Sequence, residues 1–151
     1  MEKTFELKKI KIGPLGADCK YNLIETTDEG VTTENSYHVK DSRPIHEDLS
    51  KLFADLAGIA SVLFGLEGVN DDVCISVDAI AFSGKDDNAG AVLSGTFDTK
   101  AGPIKFKTPC IKFAGEWDMA AELSAVADVI VNEVNAYLFE GKQAQMEVFG
   151  E

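Results

Sequence analysis

The sequence predicts an α+β fold: an antiparallel sheet of about six strands in βββα-βββα order, with two long amphipathic helices on one face. Two blocks of alternating apolar and polar residues, punctuated by glycine-containing turns, each precede a stretch of helical apolar spacing. The 151 residues are 45% hydrophobic and 26% charged, which suffices for one domain with its own core. We therefore predict a single domain over residues 1–141 and a flexible C-terminal tail over 142–151.

The first block contains three predicted strands, over Thr4–Ile12, Lys20–Thr27 and Val31–Lys40. In the first strand the apolar residues change phase between Leu7 and Ile10. Such a change is typical of a β-bulge or of a strand covered on both faces. A short loop ending in glycine separates the second strand from the third and predicts a hairpin.

The first helix is predicted from an apolar stripe that runs from Ile45 to Leu63. We expect Asp41 or Ser42 to cap its beginning, because short polar side chains accept hydrogen bonds from the free N–H groups there. Gly65 is the expected C′ residue at its end. Gly58, inside the helix, predicts a close approach to a strand.

The second block repeats this order. Strands are predicted over Val73–Phe82, Ala91–Asp98 and Ile104–Phe113. Pro109 interrupts the last of them and indicates an edge position or a bulge, because proline cannot donate to a β-ladder. A second amphipathic helix is predicted from about Glu116 to Glu140.

The two predicted helices share a local likeness, Asp48-Leu49-Ser50 in the first and Glu122-Leu123-Ser124 in the second. An internal duplication, with residues 1–65 corresponding to 66–141, would explain it. Chance agreement between two amphipathic helices explains it equally well.

The formal net charge of −12 lowers the expectation of nucleic-acid binding, because a polyanion is repelled at long range. The three cysteines, Cys19, Cys74 and Cys110, are odd in number and far apart, which predicts free thiols and a reducing compartment. The N-terminus lacks the apolar region of a signal peptide, and the longest weakly polar run, Leu56–Leu66, is short of the ~20 residues that span a bilayer. We expect a cytoplasmic protein without a membrane anchor.

Candidate catalytic and metal-binding residues are few. His38 and His46 lie in no recognisable catalytic context. Asp86-Asp87-Asn88 lacks the ligand spacing of a calcium loop, and Gly84-Lys85 lacks the glycine spacing of a phosphate loop. The sequence therefore predicts no enzymatic activity, no metal ion and no cofactor.

Two pairs of lysines each share one face of a predicted strand. They are Lys9, Lys11, Lys105 and Lys107. If the strands were neighbours, the lysines would form a basic stripe flanked by Tyr21, Phe97 or Phe113, a combination that holds single-stranded nucleic acid. The alternative is that these lysines only solvate an open sheet face and protect an edge strand.

Two resemblances add to this interpretation. The acidic last residues with Phe149 resemble the terminal peptides of bacterial and phage single-stranded DNA-binding proteins, which implies a partner-binding tail. The run Ile80–Asp87, continuing through Gly90–Thr96 to Thr108-Pro109, resembles small uncharacterised phage and prophage proteins of gut Bacteroidetes over about a quarter of the chain. This likeness implies a phage or mobile-element setting and carries no site residue.

Together these observations predict a non-enzymatic binding or accessory protein of a phage-like module, as a monomer or homodimer. Its partner would be single-stranded nucleic acid, held by the lysine stripe, or a protein. The alternative function is an acidic protein-interaction or inhibitor module that binds no nucleic acid.

Overall fold

The computed structural model describes residues 2–14, 16–65 and 74–142, which form seven strands and two helices. The strands are β1 (Glu2–Gly13), β2 (Gly16–Thr26), β3 (Thr32–Asp41), β4 (Cys74–Ser83), β5 (Gly90–Thr99), β6 (Gly102–Lys107) and β7 (Ile111–Lys112). The helices are α1 (Glu47–Leu63) and α2 (Ala120–Phe139), and a single 3-10 turn spans Asp86–Asn88. The predicted α+β class, with an antiparallel sheet and two helices, is confirmed.

The strands form one antiparallel sheet in the order β3-β2-β1-β4-β5-β6, and the short β7 pairs with β5. At its centre Ile10 lies opposite Ile80. On either side of that pair Lys9 lies opposite Ala81, and Lys11 lies opposite Ala79. The Ile10–Ile80 pair is therefore the centre of the β1–β4 ladder.

Both central strands contain a bulge at corresponding positions. The register against the neighbouring hairpin strand shifts between Leu7 and Lys9 in β1, and between Val77 and Ala79 in β4. One extra residue at each point reverses the alternation of side chains. The phase change in the sequence of β1 is thus a bulge at Lys8, and the bulge keeps the apolar residues on both sides of it on one face.

Side chains from one face of the sheet and from both helices form a single core cluster. The strands contribute Leu7, Ile10, Ala17, Cys19, Tyr21, Val77, Ile80, Ala91 and Leu93. We call this side of the sheet the core face and the opposite side the open face. The equivalence of the halves extends to the helices, because the buried positions of α1 and α2 follow the same spacing: Leu49, Phe53, Leu56 and Ala60 in α1, and Leu123, Ala127, Ile130 and Val134 in α2.

The beginning of α1 differs from the prediction. The capping residue is His46, whose ring Nδ1 accepts a 3.0 Å hydrogen bond from the backbone N–H of Asp48. Asp41, one of the two expected caps, ends β3 instead, and its carboxylate binds Arg43. The end of α1 is as predicted, because Gly65 follows it with a φ of +69° and donates to Val62 O.

Gly58 does not mark a close approach to a strand, because a Cβ added there would meet nothing within 4 Å.

Pro109 has the predicted effect on the sheet. It lies in the break between β6, the last strand in the sheet order, and β7. The tail beyond Lys142, including Phe149, lies outside the described residues.

A polar contact ties the end of β3 to the end of α2. Arg43 binds both carboxylate oxygens of Asp41 and donates a 2.8 Å hydrogen bond to the backbone oxygen of Tyr137. The Tyr137 hydroxyl donates in return to the backbone oxygen of Arg43 at 2.6 Å. Hydrogen bonds from Arg43 lower the pKa of Asp41 to about 2, so this carboxylate is ionised in the folded protein at neutral pH.

Candidate nucleic-acid interface

The strand register places all four predicted lysines on the open face. Lys9 and Lys11 alternate with Ile10, whose side chain is fully buried in the core. Lys105 and Lys107 alternate with Phe106, which packs against the core from the other side of β6. Because successive side chains of a strand point to opposite faces, the four ammonium groups share the face that lies away from the core.

The bulge in β1 adds a fifth lysine to this face. Lys8 forms an ion pair with Glu6, and Glu6 also accepts a hydrogen bond from Asn22 across the open face. Lys8 further lines a shallow cavity of about 440 Å³ with Lys20, Asn22 and other residues of β2 and β3. The hydrogen bond from Lys8 is the main reason why the pKa of Glu6 is lowered. The bulge thus directs two consecutive lysines, Lys8 and Lys9, to the same side.

The register brings two further lysines beside these, which the sequence alone did not single out. Lys9 is directly opposite Lys20 of β2, and Lys20 is opposite His38 of β3. In the next row Lys40 of β3 is separated from β1 by Asp18 alone. We call this group the lysine cluster; its members are Lys8, Lys9, Lys11, Lys20 and Lys40. The alternation of β2 and β3 predicts the sheet face on which Lys20 and Lys40 lie. Only the strand order shows that they lie beside the lysines of β1.

Two carboxylates near the lysine cluster are already engaged. Asp18 Oδ1 lies 2.5 Å from Nε2 of His38, and Glu34 accepts a 2.8 Å hydrogen bond from Asn22. By contrast, none of the ammonium groups of Lys9, Lys11, Lys20 and Lys40 pairs with a carboxylate of a described residue. Like charges on directly opposed strand positions destabilise a sheet, and an anionic ligand would relieve that repulsion.

The two predicted lysine pairs are not neighbours, contrary to the condition on which the basic stripe depended. β4 and β5 lie between β1 and β6. The pairs are therefore three strand spacings apart, about 14 Å. They form two separate ridges rather than one stripe.

The surface between the ridges is built from small side chains. One row crosses it from Lys11 through Ala79 and Ser94 to Lys107. The neighbouring positions of β4 and β5 hold Ala81 and Val92, and the bulge of β4 adds one carboxylate, Asp78, beside Ala79. We call this low surface the trough. It is bounded by lysines on both long sides.

The expected flanking aromatic residues are absent from this face. Tyr21 belongs to the core cluster, and Phe97 packs with Phe64 and Phe106 on the core face, with ring centroids 5.1 and 4.8 Å away. Phe113 also packs against the core. A stacking platform for bases is therefore not part of the trough, and the prediction of flanking aromatics is wrong.

The remaining candidates have local roles. His46 caps α1, while Asp86-Asp87-Asn88 forms the 3-10 turn between β4 and β5. Among residues 2–14, 16–65 and 74–142, no three His, Cys, Asp or Glu side chains are grouped as they would be to hold a metal ion. None of the helices in this described part is long and apolar enough to cross a membrane.

Charge is unevenly distributed over the two layers. Seven of the 14 basic residues of the chain are open-face lysines, counted as the lysine cluster together with Lys105 and Lys107. The two helices carry six acidic residues and a single lysine, Lys51. The open face also carries five carboxylates, those of Glu6, Asp18, Glu34, Asp78 and Asp98, so this face is slightly positive and lies opposite acidic helices.

No protein-family model, curated protein or solved structure matches this chain. The interpretation of the trough therefore depends on its own geometry and charge.

Proposed function

We propose that this protein is a non-enzymatic binding protein that holds the phosphate backbone of single-stranded nucleic acid in the trough. The observation that carries the proposal is the pair of lysine ridges, about 14 Å apart, on either side of a floor of small side chains. A single strand laid along the trough would have ammonium groups on both sides.

The chemistry of the trough favours a backbone-reading mode. Lysine ammonium groups contact phosphates as point charges, and these contacts carry no sequence information. Because the aromatic side chains of β2 and β5 lie on the core face, base stacking contributes little here. We expect binding that is insensitive to sequence and strongly weakened by salt.

The salt dependence provides the test. Fluorescence anisotropy of a labelled single-stranded oligonucleotide, measured over a series of salt concentrations, should give a log K versus log[salt] slope of about −3 to −4 if four to six phosphates are neutralised. The double variants Lys9→Glu/Lys11→Glu and Lys105→Glu/Lys107→Glu should each weaken binding at least tenfold. They should also flatten the slope.

A single Lys9→Glu change should also weaken binding, and its matched control is Lys51→Glu, which reverses the same charge on the exposed surface of α1. The control should leave affinity within about twofold. Absence of binding at low salt contradicts the proposal, and so does an equal loss in the control. If only the Lys9/Lys11 variant loses affinity, the binding site is the lysine cluster alone. That result would contradict binding in the trough.

A second candidate function is an acidic protein-interaction or inhibitor module. The observation that favours it is α2, which carries three acidic residues, no lysine or arginine, and a Val129 side chain that is 45% exposed. A purified nucleic-acid enzyme inhibited by this chain, and released by Glu122→Lys/Asp128→Lys, would support this function. The trough variants should then have no effect.

We also propose the setting and the origin of the chain. The likeness of Ile80–Asp87 and the segments after it to phage and prophage proteins supports a cytoplasmic, phage-like replication or recombination module. The bulges of β1 and β4, each two residues before the central isoleucine of its strand, support a duplicated βββα unit. In that history, the first half acquired the lysine cluster and the second half the floor of the trough.

A further inference from the structure

The two edges of the sheet are protected to different degrees. β6 has six residues, contains Pro103, and carries Lys105 and Lys107. These are devices that keep an edge from pairing with another chain. β3 has ten residues without proline, pairs with β2 without a register shift, and is exposed from Thr32 to His38. It is a long and regular edge with few such devices.

The hydrogen-bonding phase of β3 can be derived from the hairpin. Thr27 N donates a 2.9 Å hydrogen bond to Val31 O. Hydrogen-bonded and non-hydrogen-bonded pairs alternate along an antiparallel ladder. The backbone groups of Glu34, Ser36 and His38 therefore point away from β2, towards the open edge. These groups form a regular template for one more strand.

We propose that β3 pairs antiparallel with β3 of a second copy of this chain, about a twofold axis through Tyr37. In this register Glu34 lies opposite Lys40 of the partner subunit, and Lys40 opposite Glu34 of the partner subunit. Ser36 lies opposite His38 of the partner subunit, so the outward backbone groups meet. Registers centred on Ser36 or His38 leave Glu34 and Lys40 unmatched, so charge complementarity selects the register centred on Tyr37.

The side chains beside the proposed twofold axis form an apolar surface that also fits a second copy of the chain. Tyr37 is 42% exposed and stacks on Tyr21 at a centroid distance of 5.3 Å. Phe139, 50% exposed, contacts Tyr21 from the end of α2. A twofold axis through Tyr37 brings two copies of this apolar surface to the same side of the joined sheet. It also keeps the two open faces on one side, as one continuous surface.

A charge swap tests the register. Glu34→Lys and Lys40→Glu should each weaken the dimer at least tenfold by sedimentation velocity, because two attractive pairs per dimer become repulsive. The double variant Glu34→Lys/Lys40→Glu should restore the affinity. Since Glu34 also accepts from Asn22, Glu34→Gln is the control that retains an acceptor there. Thermal melts of every variant separate loss of the dimer from loss of the fold.

Cross-linking gives a second, independent measurement. In a Cys110→Ser background, Tyr37→Cys should oxidise to a disulfide-linked dimer, because directly opposed residues of a non-hydrogen-bonded pair lie about 4.5 Å apart at Cα. Thr33→Cys is the matched control on the same face. In this register its counterpart in the other copy is about 27 Å away along the strands. It should give no more dimer than the background.

A protein that stays monomeric at about 100 μM and physiological salt overturns the proposal. So does a dimer that ignores the charge swap, or one that cross-links equally through Thr33→Cys. These outcomes are independent of the trough, because the oligomeric state is measured without nucleic acid. A dimer that binds no oligonucleotide would therefore refute the proposed function alone.

Discussion

The first half of the described chain, β1–β3 with α1, and the second, β4–β7 with α2, have central strands with corresponding bulges but differ in the chemistry of their open faces. Ile10 and Ile80 occupy the same position in the two central strands. Counted from them, Lys9 corresponds to Ala79 and Lys11 corresponds to Ala81. On the core face the corresponding residues Ile10 and Ile80 are identical and both fully buried. Further along the core face the halves differ in size, because Tyr21 lies opposite Leu7 where Gly95 lies opposite Val77.

Residues on the core face and residues on the open face are under different constraints. Core-face positions must together fill the interior with apolar side chains, because a protein interior is packed at crystal-like density. Open-face positions carry no such requirement. The central strands therefore differ in charge on this face, because Lys8, Lys9 and Lys11 of β1 correspond to Asp78, Ala79 and Ala81 of β4.

The largest effect is expected from substitutions of Ile10 and Ile80, the central pair of the sheet. Ile10→Ala and Ile80→Ala should each lower the free energy of unfolding by about 3 kcal/mol, because each deletes a fully buried side chain and leaves a cavity. Urea denaturation monitored by circular dichroism measures both. A loss below about 1 kcal/mol at either position would show that the halves do not share the core equally.

The contact between Asp41, Arg43 and Tyr137 has no counterpart in the second half, so it can be removed without disturbing the symmetry. The pKa of Asp41 falls from an ordinary 3.8 to about 2 on folding. Its stabilisation is therefore fully present above about pH 4 and is lost as the pH falls from 4 towards 2. Asp41→Asn should cost about 1–2 kcal/mol at pH 7, in proportion to that shift. The cost should shrink over this acidic window.

Urea midpoints of the wild type and Asp41→Asn at pH 7, 4 and 3 measure this change. Asp55→Asn, on the exposed surface of α1, is the control and should be nearly neutral at each pH. An Asp41→Asn effect that does not diminish at low pH would assign the loss to packing rather than to the carboxylate.

The smallest expected effect concerns the helices. Gly58 has open space where a Cβ would lie, and Asn132, at the corresponding position of α2, is exposed to solvent. Gly58→Ala should therefore stabilise the protein by about 0.5–1 kcal/mol, because glycine loses more backbone freedom on folding than alanine. A rise in melting temperature would show this gain. A fall would indicate a contact on α1 that α2 lacks.

The strands and the bulge in β1 could be predicted from the sequence because they depend on local alternation. The phase change after Leu7 and the break at Pro109 each produce the structure expected of them. The position of Tyr21 on the core face was also readable, since it alternates with Cys19 and Leu23. The same alternation places Tyr21 and Phe97 on the core face, away from the lysines.

Features that depend on distant contacts could not be read in this way. The membership of Lys20 and Lys40 in the lysine cluster follows from the order β3-β2-β1, which no local pattern determines. The late start of α1 has the same origin. Asp41 binds Arg43, which reaches Tyr137 near the opposite end of the chain, and His46 then caps the helix.

The unequal protection of the two sheet edges also limits stoichiometry. Joining two copies through β3 leaves only the two β6 edges, and each of these is short and contains Pro103. In a twofold-symmetric contact of this kind both subunits pair through β3. No third chain can then add through that edge. In the proposed dimer, Pro103 would keep the two remaining edges from pairing with further chains, so the joined sheet would not grow into a fibre.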